Sequence, residues 1–196
     1  MESTNILLVL KPFVKVLDEL SISYYISGSI ASSIFGMPRS TMDIDIVANI
    51  QLNNIPHLKK QLGKDYYLDE DLIKEAIRHL SSFNLIHLET AMKIDVFIQK
   101  SGSYAESALE RKQKDTLIEN DASTEFYFSS PEDIVLNKLK WYEMGKRISE
   151  RQWFDVLGVI KVQENSIDKE YLKKWAKKLD IYDLLVAAFK DSKIQL

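Results

Sequence analysis

Two stretches of strict alternation constrain the fold of this chain more than any other feature. In TMDIDIVA, residues 41–48, apolar side chains alternate with Asp43 and Asp45, and in KIDVFIQ, residues 93–99, they alternate with Asp95. A period of two residues is typical of a strand with one buried face and one polar face. The pattern therefore predicts a sheet whose apolar face is covered and whose other face carries carboxylates.

The sequence up to residue 128 alternates between helical and strand patterns. Apolar spacing, turn residues and helix caps set the expected boundaries. The predicted helices are 4–20, 29–35, 55–63, 70–80 with Asp69 as N-cap, and 103–112 with Ser103 as N-cap. The predicted strands are 23–27, 41–48, a hairpin of 83–89 and 93–99, and 125–130.

From residue 130 onward the periodicity is entirely helical. Ser130 as N-cap, Pro131 in the first turn and Gly145 as the stop predict one helix, and Ser149 is the expected N-cap of the next. Two further helices are expected near 168–179 and 181–192. The fold class is therefore α/β (α+β): a core domain, 1–128, with a mixed sheet flanked by helices, and a C-terminal helical segment, 129–196, packed against it.

Composition removes several classes of protein from consideration. Among the 196 residues there is no cysteine, which excludes disulfides, thiol nucleophiles and Cys-ligated zinc. The net charge of −3 argues against a broad nonspecific nucleic-acid surface but leaves a local basic groove open. No apolar run approaches the roughly 18 residues of a membrane span, so we expect a cytoplasmic protein without membrane partners.

Asp43 and Asp45 are the first candidates for chemistry. Carboxylates on one face of a strand lie about 6–7 Å apart and can bind Mg²⁺ or Mn²⁺, which prefer hard oxygen ligands. Gly28 and Ser29 follow a strand and begin a helix, an arrangement that binds phosphate. The alternatives are a solvated strand edge for the paired aspartates, an ordinary exposed position for Asp95, and a simple strand-to-helix turn at Gly28.

These residues together carry a family resemblance. Gly28 and Ser29, thirteen further residues, Asp43 and Asp45, and then Asp95 on a later strand resemble the signature of the nucleotidyltransferase fold of the DNA polymerase beta superfamily. The resemblance implies that the Gly-Ser turn holds the phosphates of a nucleoside triphosphate (NTP). It also implies that the three aspartates bind the metal ions and are catalytic.

A second resemblance covers residues 130–158. EDIVLNKLKW and SERQWFDVLG are similar to the Lys and Asp motifs of the AbiEii branch, the toxin nucleotidyltransferases of toxin-antitoxin (abortive-infection) systems. By this resemblance Lys138 and Asp155 contribute to nucleotide binding, and acceptors such as tRNA ends are implied. This chain is shorter than that branch and lacks the full Arg- and Asp-rich form of the last motif.

The residues themselves leave alternatives open for three of the candidates. Lys138 lies at the centre of the apolar stripe of its predicted helix, where an ammonium group needs an anion. A triphosphate, Glu132 or Asp155 would satisfy it. An aspartate in the position of Asp155 is more often a helix-packing partner, here of Lys138 or Arg151. Arg39 either contacts phosphate or is a solvated turn residue.

The sequence therefore predicts a Mg²⁺- or Mn²⁺-dependent transferase that moves a nucleoside monophosphate from an NTP such as ATP to an acceptor hydroxyl on tRNA, protein or a small molecule. The rival interpretation is a noncatalytic nucleotide-binding or antitoxin-like module on the same fold. A third is RNA binding through the basic stretch KKWAKK, residues 173–178. The acceptor, the preferred base and the oligomeric state are not specified by the sequence.

Overall fold

The structure is a computed structural model that describes residues 2–41, 43–117 and 124–196. These residues contain seven strands and nine α-helices, joined by loops. The strands are β1 (Tyr24–Ile26), β2 (Ile44–Ala48), β3 (Tyr66–Tyr67), β4 (Ser82–His87), β5 (Lys93–Ile98), β6 (Gln113–Thr116) and β7 (Glu125–Phe128). The helices are α1 (Glu2–Glu19), α2 (Gly28–Phe35), α3 (Ile55–Leu62), α4 (Glu70–His79), α5 (Ser103–Glu110), α6 (Pro131–Met144), α7 (Glu150–Val162), α8 (Lys169–Lys178) and α9 (Tyr182–Ser192). The predicted α/β class is confirmed.

The chain divides into two compact units. The first contains the residues up to Ile30 together with Ser40–Phe128, and the second contains Ala31–Arg39 together with Ser129–Leu196. The sheet belongs to the first unit, and α6 to α9 belong to the second.

The sheet has the strand order β3-β4-β5-β2-β1-β7-β6. β2 pairs in parallel with β5 and antiparallel with β1, and β4 pairs antiparallel with β5 and β3. At the other end, β7 pairs in parallel with β1 and antiparallel with β6. The strand that carries Asp45 and the strand that carries Asp95 are therefore direct neighbours in the sheet.

The alternation seen in the sequence is reproduced as alternating burial. Ile44 and Ile46 of β2, and Ile94 and Val96 of β5, have no solvent exposure, whereas the intervening residues are partly exposed. β4 alternates in the same way and packs, with β5, against α4. Burial of each aliphatic side chain stabilises the fold by about 1.5–3 kcal/mol, which fixes the register of the strands because a slip of one residue would bury the carboxylates.

The N-terminal helix, predicted over residues 4–20, spans Glu2–Glu19 and contains Pro12 in its interior. Its apolar face, including Leu10, Phe13 and Leu17, is fully buried. Over the described ranges of the chain, no helix combines the length and apolar character that crossing a membrane requires.

Three predicted helix caps are confirmed by hydrogen bonds. The Asp69 carboxylate accepts from the amides of Asp71 and Leu72, and the Ser130 hydroxyl accepts from the amide of Asp133. The Ser149 hydroxyl accepts from the amide of Gln152. These side chains satisfy amides that have no partner within the first helical turn.

In the second unit, α6 packs on α7 and α8, and α9 packs on α7 and α8. The first half of α6 is buried on nearly every side, including Glu132 and Asp133. These carboxylates have internal partners, because Glu132 accepts from the amide of Asp168 at 2.8 Å and Asp133 accepts from the Tyr171 hydroxyl at 2.9 Å.

Some local predictions were wrong or incomplete. Ser103 is not the N-cap of α5, since Gly102 occupies that position with a φ of 111° and no side-chain capping bond is formed. The short strands β3 and β6 were not predicted. β2 begins at Ile44, one residue after Asp43, and Met42, which the sequence places on the apolar face, lies outside the described residues.

Candidate functional site

Asp45 and Asp95 occupy matching positions on adjacent parallel strands. The register pairs Asp45 with Asp95, just as it pairs Ile44 with Ile94 and Ile46 with Val96. Because side chains alternate along a strand, both carboxylates lie on the face opposite the buried aliphatics. Both residues are half-buried, so the pair is partly shielded from solvent but accessible.

Asp43 immediately precedes β2 and is exposed. Continuing the register by one step places Asp43 beside Lys93, as Ile44 lies beside Ile94. The same face therefore carries Asp43 and Asp45 next to Lys93 and Asp95. Three negative charges and one positive charge occupy neighbouring positions on two strands.

The turn at Gly28 is in direct contact with Asp45. Gly28 begins α2 with a φ of 60°, which favours glycine, and a methyl group at its Cα would lie 1.9 Å from Asp45 Oδ2. The preceding amide, that of Ser27, donates a hydrogen bond to the Asp45 carbonyl oxygen at 2.9 Å. The glycine is therefore required both by the backbone conformation and by the carboxylate that occupies the space of a side chain.

Ser29 follows Gly28 in the first turn of α2 and is half-buried. The first amides of a helix have no partner within the helix and carry partial positive charge. Gly28, Ser29 and Asp45 thus bring a helix N-terminus to the same edge of the first unit as the paired carboxylates. This combination can bind an anion and a cation side by side.

Lys93 is the member of this group that sequence reasoning missed. Its Nζ lies 2.8 Å from Asp95 Oδ2, and the lysine side chain is 41% exposed. The hydrogen bond to Asp95 raises the pKa of Lys93 above its ordinary value. The charges of Asp43 and Asp45 act in the same direction on this pKa, so all three carboxylates influence one ammonium group.

The donor set suits a hard divalent cation, but one of its three carboxylates, that of Asp95, is already paired with a lysine. Three carboxylates provide the oxygen ligands that Mg²⁺ and Mn²⁺ prefer. Within 2–41, 43–117 and 124–196, no group of three or more His, Cys, Asp or Glu side chains is arranged to hold a metal ion. Lys93 contacts Asp95 Oδ2 instead. By their donor chemistry the three carboxylates fit a divalent cation, and binding one at Asp95 Oδ2 would require the Lys93 ammonium group to leave that oxygen.

A second charged cluster lies within the second unit. Asp155 on α7 accepts hydrogen bonds from Arg39 Nε at 2.9 Å and Arg39 Nη2 at 3.0 Å, and from Lys138 Nζ at 2.7 Å. Lys138 also donates to Gln152 Oε1 at 3.2 Å. The side chains of Lys138 and Asp155 are each only 6% exposed. One buried carboxylate therefore holds two cationic side chains.

Burial alone would raise the pKa of Asp155, but its partners reverse this effect. The hydrogen bonds and charges of Arg39 and Lys138 hold the pKa of Asp155 below its ordinary value. Asp155 is therefore ionised at neutral pH and bridges the 31–39 segment to α6. The sequence offers Lys138 and Arg151 as helix-packing partners of Asp155, and the structure pairs Asp155 with Lys138. Arg39 is an additional partner that the sequence did not indicate.

The predicted site residues thus form two groups, each inside one unit. Gly28, Ser29, Asp43, Asp45 and Asp95 belong to the first unit, and Arg39, Lys138 and Asp155 belong to the second. Lys93 and Gln152 join these groups without having been predicted. A signal for each was present: Lys93 lies two residues before Asp95 on the same strand face, and Gln152 lies three residues before Asp155 on the same helix face.

The sequence matches no protein-family model and no curated protein. Solved structures do resemble this chain. The first is an antigenic nucleotidyltransferase-like protein from Paracoccidioides brasiliensis, with 18% identity, a TM-score of 0.52, and coverage of 100% of this chain and 94% of that one. A second is the crystal structure of ANT(2″)-Ia in complex with adenylyl-2″-tobramycin, with 12% identity, a TM-score of 0.58, and coverage of 90% and 97%.

The solution structure of the antibiotic-resistance factor ANT(2″)-Ia is also similar, with 13% identity and a TM-score of 0.54 over 98% of this chain and 97% of that one. Identities this low are evidence about the fold and not about the reaction. The similarity extends over nearly the whole length of each protein. This chain therefore has the nucleotidyltransferase fold.

Proposed function

We propose that this protein is a metal-dependent nucleotidyltransferase that moves a nucleoside monophosphate from an NTP to an acceptor hydroxyl. The acceptor oxygen forms a bond to the α-phosphorus, the bond from that phosphorus to the bridging oxygen breaks, and pyrophosphate leaves. The observation that carries the proposal is the register of Asp45 against Asp95, with the Gly28 turn in contact with Asp45.

The proposed roles of the first group follow from its chemistry. Asp43, Asp45 and Asp95 would hold Mg²⁺ or Mn²⁺, which when bound neutralises the charge of the triphosphate and of the developing oxyanions. Asp95 is proposed to accept the proton of the acceptor hydroxyl, directly or through water. Gly28 and Ser29, at the start of α2, are proposed to hold the phosphates through amide and hydroxyl hydrogen bonds.

The second group is proposed to contribute to nucleotide binding through its cations. Asp155 carries one negative charge and is hydrogen-bonded to two cationic side chains, so the cluster of Arg39, Lys138 and Asp155 has a surplus positive charge. In this role Asp155 orients Arg39 and Lys138, because its two oxygens are already engaged by them.

The acceptor is the open part of this proposal. The similarity to ANT(2″)-Ia, whose crystal structure contains adenylyl-2″-tobramycin, supports testing tobramycin as a small-molecule acceptor. The resemblance of residues 130–158 to the AbiEii toxin nucleotidyltransferases supports testing tRNA. Protein hydroxyls complete the set of acceptors.

The test is incubation with each α-labelled NTP, Mg²⁺ and a cell lysate, followed by separation into RNA, protein and small-molecule fractions, with tobramycin tested separately. We expect label in one fraction, and the loss of label with Asp43→Asn while the circular dichroism spectrum is unchanged. Asp71→Asn, an exposed aspartate on α4, is the matched control and should retain activity. Undiminished incorporation by Asp43→Asn would overturn the catalytic role.

One observation favours a second candidate function. Because Lys93 engages Asp95, the carboxylates as found are neutralised in part by the protein itself. A noncatalytic nucleotide-binding or antitoxin-like module would have this property. Calorimetry with ATP and Mg²⁺ separates the two: binding that Asp45→Asn abolishes, without transfer to any acceptor fraction, favours the module.

A further inference from the structure

Lys93 and Asp95 form an ion pair at the position where the proposed function requires a divalent cation. Lys93 Nζ lies 2.8 Å from Asp95 Oδ2, and Lys93 lies next to Asp43 in the extended register. Lys93 and Asp95 are two residues apart on β5 and therefore lie on the same face of the strand. The pair can form or separate by side-chain rotation, without rearrangement of the backbone.

The exposure of the two side chains indicates that the pair can be broken at low cost. The Lys93 side chain is 41% exposed and that of Asp95 is 19% exposed. An ion pair with this access to water contributes about 0–1 kcal/mol, in contrast to a buried pair. The lysine side chain has four rotatable carbon–carbon bonds and can place its ammonium group in solvent.

Charge balance determines what separation would do. With Lys93 in place, the two strands carry Asp43, Asp45 and Asp95 against one ammonium group. Without that ammonium group, three like charges remain on neighbouring positions and attract a cation more strongly. A divalent cation that bound there would therefore compete with Lys93 for Asp95 Oδ2.

We propose that Lys93 is an internal counterion that sets the affinity of this site for divalent cations by competing for Asp95. The proposal rests on the proposed function, because it concerns the same carboxylates. It assigns to Lys93 no contact with the reacting atoms: cation binding releases the ammonium group from Asp95, and loss of the cation restores the pair. The site consequently binds cations more weakly than three free carboxylates would.

The test measures Mn²⁺ binding to the purified full chain by electron paramagnetic resonance, without nucleotide. Lys93→Gln should bind Mn²⁺ about tenfold more tightly than the wild type, the effect expected for removing one positive charge a few ångströms from a divalent cation. Lys93→Arg keeps the charge and should bind like the wild type. Asp45→Asn should weaken binding and so identifies the site.

Lys74→Gln is the matched control. The Lys74 side chain is 39% exposed, and its Nζ lies 2.9 Å from Asp71 Oδ1 on α4. Lys74→Gln therefore removes one positive charge and one ion pair of similar length and exposure, but on another element. Its Mn²⁺ affinity should equal that of the wild type. Thermal melts followed by circular dichroism verify that each variant is folded.

The failure of this inference is distinguishable from the failure of the proposed function. If Asp45→Asn weakens Mn²⁺ binding and NTP transfer occurs, but Lys93→Gln binds Mn²⁺ no more tightly than Lys74→Gln, the counterion role is overturned and the enzyme remains. If no Mn²⁺ binding depends on Asp45 and no transfer is found, the metal-dependent function and the counterion role are overturned together.

Discussion

Lys93–Asp95 and Lys138–Asp155 are lysine–aspartate pairs of almost equal length that lie in opposite surroundings. Lys93 and Asp95 are 2.8 Å apart with side chains 41% and 19% exposed, and Lys138 and Asp155 are 2.7 Å apart with both side chains 6% exposed. The first pair has additional aspartates beside it, and the second has an additional cation, Arg39. Equal distances therefore accompany opposite surplus charges.

The distance between two charged groups alone does not reveal what an ion pair does. The buried carboxylate of Asp155 joins segments that are distant in sequence, and removing it would leave two cationic side chains without their common partner in a poorly solvated place. An exposed pair inside an excess of like charge is replaceable, because water and dissolved cations can substitute for its partner. We therefore infer that Asp155 holds the second unit together, and we propose that Asp95 exchanges its lysine partner for a dissolved cation.

Removal of the Asp155 carboxylate should reduce stability the most. Asp155→Ala should lower the free energy of unfolding by about 3–5 kcal/mol, because Arg39 and Lys138 are left without their common carboxylate. All three tryptophans, Trp141, Trp153 and Trp175, lie in the second unit, so urea unfolding followed by fluorescence reports on it directly.

Asp95→Ala is the matched variant in the exposed pair. We expect its free energy of unfolding, measured by urea unfolding followed by circular dichroism, to differ from that of the wild type by no more than about 1 kcal/mol. Equal losses in the two variants would mean that burial does not separate the pairs as we argue.

A smaller effect is expected from the lysines. Lys138→Met leaves the two-point Arg39–Asp155 interaction in place but removes one charged hydrogen bond, and should cost about 1–3 kcal/mol in the same unfolding experiment. Lys93→Met removes the partner of a carboxylate that water can still reach, and should change the free energy of unfolding by less than about 1 kcal/mol. A larger loss for Lys93→Met than for Lys138→Met would reverse the comparison.

A milder change in the stability of the buried cluster is expected on acidification. Because Arg39 and Lys138 hold the pKa of Asp155 below its ordinary value, ionised Asp155 stabilises the folded state at any pH above the pKa that this carboxyl has in the unfolded chain. This stabilisation is lost as the pH falls through the lowered pKa, and protonation keeps the atoms in place, so the loss is smaller than on truncation.

We expect the fluorescence-monitored stability of the wild type to exceed that of Asp155→Asn by a constant amount above about pH 5 and by a decreasing amount below about pH 4. A difference that does not change between pH 6 and pH 3 would show that the Asp155 carboxylate is not the group responsible.

Much of the fold could be predicted because its signals are local. Three helices begin at an N-cap whose side chain accepts a hydrogen bond from an amide two or three residues later; these caps are Asp69, Ser130 and Ser149. Alternation in β2 and β5 reports which face is buried. The placement of Asp45 and Asp95 on their strands follows from the same local pattern.

What could not be predicted depends on partners far away in sequence. Arg39 and Asp155 are separated by 116 positions, and nothing near either residue specifies the other. The strand β6 is short and polar, and becomes a strand by pairing with β7. The spacing of Lys93 and Asp95 is visible in the sequence, but the neighbouring charges of Asp43 and Asp45 come from a strand about 50 positions earlier and are not.

The parallel pairing of β2 with β5 has a consequence for the order of folding. Asp45 and Asp95 are separated by 50 positions, so their carboxylates approach only when a long-range pairing forms, with α3, α4 and β4 in the intervening chain. Pairings of this range are slow to form, because loop closure is paid for in entropy before contacts compensate it. We therefore expect the acidic side chains to meet late in folding, and a ribosome-bound chain that ends before residue 93 contains the residues of the Gly28 turn but lacks the strand that carries Asp95.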